Sequence, residues 1–276
     1  MSGALWARLR DARYALPGKA GRLLPAPGVQ TAARLIEGLA RRGIAATPGY
    51  FAPDGASAGQ VVAVYRELHG VLDRAAYFSV KAPQLGFSGD AVAALAGLGR
   101  EIVLDAHAPG QADATQALAE RFGTGLVFPA RWRRSADDAA VWRARPVRLR
   151  LVKGEWADPA GDSGDPADAL LDLARALAGR AAPVAVATHD PLLAARALEI
   201  LQRSGTPVEL EQLRGLPRRR PAAAAQALGA PVRLYVPFGP GWWPYAIDKA
   251  LARPYLPKWW LEDRLGITPA RAPEAA

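Results

Sequence analysis

Two patterns of apolar and polar residues alternate along this chain. Eight short runs are rich in β-branched and other apolar residues, which is the pattern of buried strands. The longer segments between them are rich in Ala, Leu and Arg and show helical spacing. The predicted strands are Ile44–Tyr50, Tyr77–Lys81, Ile102–Asp105, Gly125–Pro129, Val147–Lys153, Val184–Thr188, Val208–Leu213 and Val232–Pro237.

The predicted helices alternate with these strands. An extra helix, Gln30–Arg42, precedes the first strand, and Trp242–Ala252 follows the last one. The helices between strands are predicted at Ser57–Leu72, Gly89–Leu98, Gln111–Arg121, Asp137–Arg143, Pro166–Ala178, Pro191–Arg203 and Arg220–Leu228. Regular alternation of eight strands and eight helices predicts an α/β fold, a (β/α)8 TIM-like barrel with an extra N-terminal helix.

A doubly wound open sheet is the alternative fold. Such a sheet usually carries a glycine-rich dinucleotide loop after its first strand, and no G-x-G-x-x-G occurs in this sequence. A length of 276 residues also suits one barrel domain. We therefore expect a basic extension over residues 1–29, one barrel domain over 30–253 and a tail over 254–276.

Composition narrows the classes of function. The chain has no cysteine, which excludes disulfides, thiolate nucleophiles and cysteine-bound metals. Its net charge is +9, but the basic residues are spread out and no aromatic-and-basic nucleic-acid motif is visible, so we expect no nucleic-acid partner. No segment has the apolar length of a signal peptide or membrane helix. We expect a cytoplasmic protein and leave peripheral contact with the inner membrane face open, through Trp259 and Trp260.

Polar and ionisable residues follow most of the predicted strands. The carboxyl ends of barrel strands build the active site whatever the chemistry, so these residues are expected to converge there. None of their spacings suits a metal ion, and no metal is expected. The residues are Tyr50, Lys81, Asp105, His107, Arg131, Lys153, Trp156, Thr188, His189, Asp190, Glu211 and Tyr235.

The residue types leave several chemistries open. Arg148 and Arg150 share one face of the fifth strand, and an arginine that points into the barrel needs a charged partner. A phosphate-rich cofactor or a carboxylate at the rim would supply that partner. Lys81 and Lys153 equally suit imine formation with a carbonyl substrate, as in an aldolase. Anion binding, oxidation and imine formation therefore remain alternatives at this stage.

Seven motifs in order resemble the proline dehydrogenase family over most of the chain, roughly from Gln30 to Pro254. The fifth-strand motif, Arg-Leu-Val-Lys-Gly, is the most recognisable of them. The motifs are Ser79-Val80-Lys81, Val103-Leu104-Asp105, Arg131-Trp132-Arg133-Arg134-Ser135, Arg150-Leu151-Val152-Lys153-Gly154, Ala187-Thr188-His189-Asp190, Val232-Arg233-Leu234-Tyr235-Val236-Pro237-Phe238-Gly239 and Trp243-Pro244-Tyr245.

This resemblance implies an FAD-dependent barrel enzyme. Hydride would pass from the carbon beside a secondary amine to flavin N5, giving an imine, and a quinone would accept the electrons. The implied catalytic residues are Lys81, Asp105, Arg150 and Tyr235. The implied cofactor-binding residues are Arg150, Lys153, Gly154, Trp156, Thr188, His189 and Glu211. The implied substrate-binding residues are Lys81, Tyr235, Tyr245, Asp248 and Lys249.

The chain departs from the family in its last predicted helix. Asp248 and Lys249 stand where the family has the paired arginines that hold the substrate carboxylate. Lysine does not reproduce a bidentate guanidinium, and aspartate repels a carboxylate. The expected substrate is therefore proline or a related amine, with Asp248 favouring an amine that has a second positive charge or no carboxylate. The alternative functions are a barrel lyase or aldolase with an imine-forming lysine, and a catalytically silent binding protein of this fold.

Overall fold

A computed structural model describes residues 26–72, 76–242 and 256–265. Its eight strands pair in parallel, in sequence order, and form one closed barrel, which confirms the predicted fold. Six consecutive pairs, from Ala45 with Arg233 to Tyr50 with Phe238, join the first strand to the last. The strands are β1 Ala45–Tyr50, β2 Phe78–Lys81, β3 Ile102–Asp105, β4 Gly125–Pro129, β5 Leu149–Val152, β6 Val184–Ala187, β7 Val208–Leu213 and β8 Val232–Phe238.

The helices lie where the spacing predicted them, with small shifts at their ends. The described helices are α1 Val29–Ala40, α2 Ala58–Val71, α3 Gly89–Ala96, α4 Ala112–Phe122, α5 Ser135–Trp142, α6 Pro166–Ala176, α7 Pro191–Arg203, α8 Arg219–Ala227 and α9 Leu256–Leu265. Sequence patterning did not predict α9, which lies in the expected tail. Apart from Trp242, the predicted helix 242–252 lies outside the described residues.

Two helices begin directly after an aspartate that caps them. The Asp165 carboxylate accepts the backbone N–H groups of residues 167 and 168, and Asp190 does the same for residues 192 and 193. A proline follows each aspartate at the first helical position, where its fixed φ suits the helix. Each cap fixes the end of a loop that follows a barrel strand, and so helps to position the mouth.

The strands bury different chemistry on their two faces. On β5, Leu149 and Leu151 pack in the main core between the barrel and the helices. Arg150 on the same strand, and Arg148 directly before it, point into the barrel. Barrel interiors are usually filled by Val, Ile and Leu. Here a small apolar group around Tyr77 and Val103 shares the interior with charged side chains. Among the described helices, none combines the length and apolar composition that crossing a bilayer requires.

Candidate functional site

Three charged side chains, Arg148, Glu209 and Arg233, lie inside the barrel at the amino-terminal end of the strands, and the more exposed Glu101 pairs with them. Arg148 bonds to Glu101 at 2.9 Å and also to Glu209, which in turn accepts a hydrogen bond from Arg233 at 2.9 Å. We call Glu101, Arg148, Glu209 and Arg233 the lower cluster. The centre of the Tyr77 ring lies 4.8 Å from the guanidinium carbon of Arg148 and 4.7 Å from that of Arg233. The charges of the lower cluster therefore satisfy one another.

Arg150 lies closer than the lower cluster to the carboxyl ends of the strands. We call that end of the barrel the mouth. Its guanidinium donates to Glu211 at 2.8 Å and to the Ser79 hydroxyl at 2.9 Å, while the other oxygen of Glu211 accepts from Tyr77. Asp105 lies 3.7 Å from the same guanidinium. The interior arginines do have charged partners, as their burial required. The closest partners are carboxylates inside the barrel rather than groups at its rim.

Lys81 ends β2 at the mouth with its amine almost fully buried. Its Nζ donates to the Tyr50 carbonyl at 3.0 Å and to the Tyr235 hydroxyl at 3.4 Å, and lies 3.6 Å from the centre of the Phe51 ring. Burial lowers the pKa of Lys81 to about 7, with Arg150 lowering it further and Asp105 opposing the shift. Near neutral pH this lysine is therefore present in both its charged and its neutral form.

Tyr235 joins the Lys81 and Arg150 parts of the site. The Arg150 guanidinium carbon lies 5.4 Å from the centre of its ring, and burial raises the pKa of its hydroxyl, so the phenol stays protonated. Gly49 makes room for the ring, since a Cβ there would lie 1.8 Å from the hydroxyl oxygen. We call Lys81, Asp105, Arg150, Glu211 and Tyr235 the inner pocket.

The loop after β5 brings a cation and an aromatic ring to the rim. Lys153 is partly exposed and its Nζ lies 3.9 Å from the Asp190 carboxylate. The side chain of Trp156 is 52% exposed and stacks against His107, with 6.3 Å between ring centres. This pair of rings therefore presents an indole face to a ligand at the mouth.

Arg131 fastens that loop to the end of β4. Its Nε lies 3.0 Å from both oxygens of Asp162, and its Nη1 donates to the Glu155 carbonyl at 3.0 Å. The Trp132 indole donates to the Trp156 carbonyl at 2.9 Å. These contacts hold both ends of the long β5–α6 loop, so the positions of Lys153 and Trp156 depend on Arg131.

Gly154 is the point at which this loop turns, and we predict that alanine there disrupts it. Its φ is +98°, and a Cβ would lie 2.9 Å from the Arg131 side chain and 3.0 Å from Pro129. Gly164 has a φ of +119°, and no other described atom lies within 4 Å of an added Cβ, so Gly164→Ala adds only backbone strain, about 1–3 kcal/mol. Chemical denaturation should show a larger loss of unfolding free energy for Gly154→Ala than for Gly164→Ala. Equal losses would mean that the Arg131 side chain does not restrict the space at Gly154.

The side chains of Thr188 and His189, directly after β6, form hydrogen bonds with backbone groups. The Thr188 hydroxyl accepts the Asp190 N–H at 3.1 Å. His189 Nε2 accepts the Leu213 N–H at 3.0 Å, and Nδ1 donates to the Pro217 carbonyl at 2.7 Å. Because an N–H group and a carbonyl occupy its two nitrogens, this imidazole is neutral with its proton on Nδ1. His189 thus fixes the β7–α8 loop; its predicted contact with a cofactor stays a prediction.

That β7–α8 loop is rich in arginine at the rim of the mouth. The clamp by His189 and a hydrogen bond from the Arg219 N–H to the Asp263 carboxylate of α9, at 2.8 Å, set its course. No described acidic side chain pairs with its guanidinium groups. They therefore offer positive charge to an anionic group. Arg214 and Arg218 lie in this loop, and Arg219 and Arg220 begin α8.

The structure brings most of the predicted site residues to one end of the barrel. Lys81, Asp105, Arg150 and Tyr235 contact one another, and Lys153, Gly154, Trp156, Thr188 and His189 follow β5 and β6 at the same end. Tyr245, Asp248 and Lys249 lie outside the described residues. Among residues 26–72, 76–242 and 256–265, no acidic and histidine side chains group so as to hold a metal ion.

Sequence reasoning missed two residues that support Arg150. Ser79 lies on β2 two positions before Lys81, and Tyr77 directly precedes that strand, so the alternation of side chains alone places all three on the inner face. Their neighbour across the barrel, Glu211, was predicted only as a cofactor contact. Its pairing with Arg150 was not predictable, because the distance across a closed barrel depends on strand tilt and stagger.

The chemistry of the mouth suits a cofactor that combines an aromatic ring with phosphate groups. The indole of Trp156 offers a face for stacking, and Lys153 with the β7–α8 arginines offers cations for phosphate. The buried Nε–H of Arg150 has no acceptor among the described residues, so the pocket also retains one hydrogen-bond donor. A ring face, a donor and cations are the groups by which a protein orients such a cofactor.

Comparison with known proteins finds similarity in structure but not in sequence. No protein-family model matches the chain, and no curated protein matches it by sequence. Proline utilization A (PutA) from Bdellovibrio bacteriovorus is similar in structure, with a TM-score of 0.67 and 18% identity over 86% of this chain and 33% of that one. PutA from Corynebacterium freiburgense has a TM-score of 0.64 and 19% identity over 98% of this chain and 35% of that one.

This likeness establishes the fold of the chain. Its (β/α)8 barrel is the barrel found in these PutA structures, which supports at the level of fold the resemblance to proline dehydrogenases. The chain spans about a third of the length of the PutA chains that it matches. Their name refers to the use of proline.

Proposed function

We propose that the chain is an FAD-dependent, proline dehydrogenase-like oxidoreductase that converts a secondary amine to an imine. One observation carries the proposal: Lys81, Asp105, Arg150 and Tyr235 are connected by contacts at the mouth of a PutA-like barrel. Catalytic groups of barrel enzymes converge at this end of the strands. The four residues came from four different motifs, and the barrel is what brings them into contact.

Several residues would hold FAD at this mouth. Arg150 would donate through its unpartnered Nε, Trp156 would cover the ring, and Lys153 would meet phosphate. Gly154, Thr188, His189 and Glu211 complete the proposed set. When bound, the flavin supplies a hydride acceptor for the carbon beside the amine nitrogen.

The inner pocket would prepare the amine for oxidation. An ammonium group must lose a proton before its nitrogen can donate electrons to form C=N, and neutral Lys81 is the base for that proton. Asp105, one-quarter exposed at the end of β3, would orient the nitrogen by a hydrogen bond. Tyr235, held protonated by burial, would position Lys81 through the contact between their side chains.

The surroundings of the inner pocket would bind the substrate, and a separate molecule would accept the electrons. We propose that Tyr245, Asp248 and Lys249 line the substrate side, as the family motif implies, and that a quinone reoxidises the flavin. We also propose a cytoplasmic location with peripheral contact at the inner face of the membrane. Separation of cell lysate into membrane and soluble fractions tests the location, since an integral association would resist a salt wash.

Anaerobic mixing of the FAD-loaded protein with amines tests the proposed reaction. A secondary amine should bleach the flavin absorbance, and the Asp105→Asn variant should be bleached at least tenfold more slowly because it loses one charged hydrogen bond. Glu120→Gln, an exposed change on α4 away from the mouth, serves as a matched control and should behave as the parent protein does. A loaded protein that no amine bleaches would contradict the proposed function.

The lowered pKa of Lys81 also favours a second candidate, a lyase or aldolase that works through an imine. A buried neutral amine is the nucleophile that such enzymes use. Borohydride trapping with aldehydes distinguishes the two. Covalent labelling of Lys81 without any flavin would support the lyase, whereas neither labelling nor flavin would leave the third candidate, a silent binding protein.

A further inference from the structure

Arg150, the permanent cation of the inner pocket, is already neutralised. Its Nη1 donates a hydrogen bond to Glu211 and its Nη2 donates one to Ser79. Asp105 lies 3.7 Å from the same guanidinium. A ligand carboxylate that approached Arg150 would therefore meet two carboxylates as well as one guanidinium. Like charges disfavour such an arrangement, especially where the surroundings are buried.

Lys81 does not supply the full positive charge that a ligand carboxylate would need once Arg150 is neutralised. Its Nζ is committed to the Tyr50 carbonyl and the Tyr235 hydroxyl, and the Phe51 ring covers it. Burial lowers the pKa of this amine to about 7, so it is partly uncharged at neutral pH. A carboxylate would thus find an incompletely charged group that already has its hydrogen-bond partners.

The charge balance of the inner pocket differs from that of the whole chain. The chain carries a net charge of +9, yet the pocket sets Arg150 and a partly charged Lys81 against Asp105 and Glu211. The described arginines of the β7–α8 loop make no hydrogen bond or ion pair with these four side chains. The inner pocket is therefore suited to a cation, while the rim remains suited to anions.

We infer that the substrate is a secondary amine without a carboxylate group, and that Glu211 determines this specificity by neutralising Arg150. The inference rests on the proposed function and names its substrate class. A cyclic or open-chain alkylamine keeps its positive charge next to Asp105 and places no anion near Glu211. Proline is the same kind of amine with a carboxylate added, and this added group is what the pocket opposes.

Pyrrolidine and L-proline form the matched pair that tests this inference, because they differ only in the carboxylate. Two readouts are used: calorimetric binding to the purified protein, and the rate of anaerobic bleaching of the FAD-loaded protein. We expect pyrrolidine to bind at least about tenfold more tightly than L-proline, which corresponds to one unfavourable charge contact. Tighter binding of L-proline by the parent protein would overturn the inference.

Glu211→Gln tests the residue itself. Glutamine keeps the shape and an oxygen that accepts from Arg150, but it removes the negative charge. The preference for pyrrolidine should fall by about tenfold. Glu209→Gln is the matched control, since Glu209 stands two positions earlier on β7 and pairs with Arg148 and Arg233 in the lower cluster. Equal changes of preference in both variants would overturn the assignment to Glu211.

Asp105→Asn serves if Glu211→Gln does not fold. It removes the other carboxylate near Arg150 and should likewise reduce the preference for pyrrolidine, chiefly by weakening pyrrolidine binding. An unchanged preference would contradict the inference. Failure of the proposed function is seen separately: the flavin would then be absent or never bleached, whereas the calorimetric preference would still report on the charge of the pocket.

Discussion

Replacing Glu211 with alanine is expected to lower the free energy of unfolding by about 3–5 kcal/mol, the usual cost of breaking a buried ion pair from one side. Glu211 is almost fully buried, and both of its carboxylate oxygens are used, one by Arg150 and one by Tyr77. Its loss leaves the Arg150 charge buried without its closest acceptor. Equilibrium denaturation in urea measures this loss as a shift of the midpoint at unchanged slope.

Two further variants show whether the effect belongs to the pair. Glu199→Ala removes an exposed carboxylate that pairs with Arg203 on α7, and it should cost less than about 1 kcal/mol. The double variant Glu211→Ala with Arg150→Met removes both buried charges and should regain most of the stability that the single variant loses. If Glu211→Ala cost no more than Glu199→Ala, the ion pair would not contribute as described.

Lys81→Met is expected to change how stability depends on pH. Folding lowers the pKa of Lys81 from 10.5 to about 7, so between these values the unfolded chain binds more protons than the folded one. The Lys81 contribution therefore makes unfolding harder as pH rises through this window, by on the order of 1 kcal/mol per pH unit. Below about pH 7 both states are protonated, and the folded state bears the full cost of the buried charge.

Methionine keeps the volume of the side chain and removes the titration. The difference in unfolding free energy between Lys81→Met and the parent protein should therefore be largest near pH 7 and should shrink toward pH 10. Lys153→Met is the matched control for the loss of a lysine charge, because Lys153 lies at the same mouth but is 42% exposed. Parallel pH profiles for Lys81→Met and the parent protein would show that Lys81 is not desolvated.

The barrel itself was predictable because its signal is local. Each strand and each helix shows its own period of apolar residues within a short stretch of sequence. Asp165 and Asp190 indicate helix starts, because an N-cap involves only the few residues that follow it. The need of Arg148 and Arg150 for charged partners was also predictable, since alternation places both on one face and burial of an unpaired charge is costly.

The identity of those partners was not predictable from the sequence. Glu209 and Glu211 lie some sixty residues from the arginines that they neutralise, and only closure of the barrel brings them together. The hydrogen bonds between Arg131 and Asp162 of the β5–α6 loop were not predicted for a similar reason, because Asp162 lies in a loop without periodicity. Helix α9 was missed because a Pro- and Trp-containing tail gives a weak helical signal.

Titration of the flavin-free protein with FAD tests the central claim of this account most directly. We expect saturable binding of one FAD per chain, seen as quenching of flavin fluorescence, and weaker binding by Lys153→Ala, which removes a cation that would meet phosphate. Riboflavin, which lacks phosphate, should bind more weakly than FAD and should not distinguish the two proteins. Absence of saturable FAD binding by the folded parent protein would contradict the account.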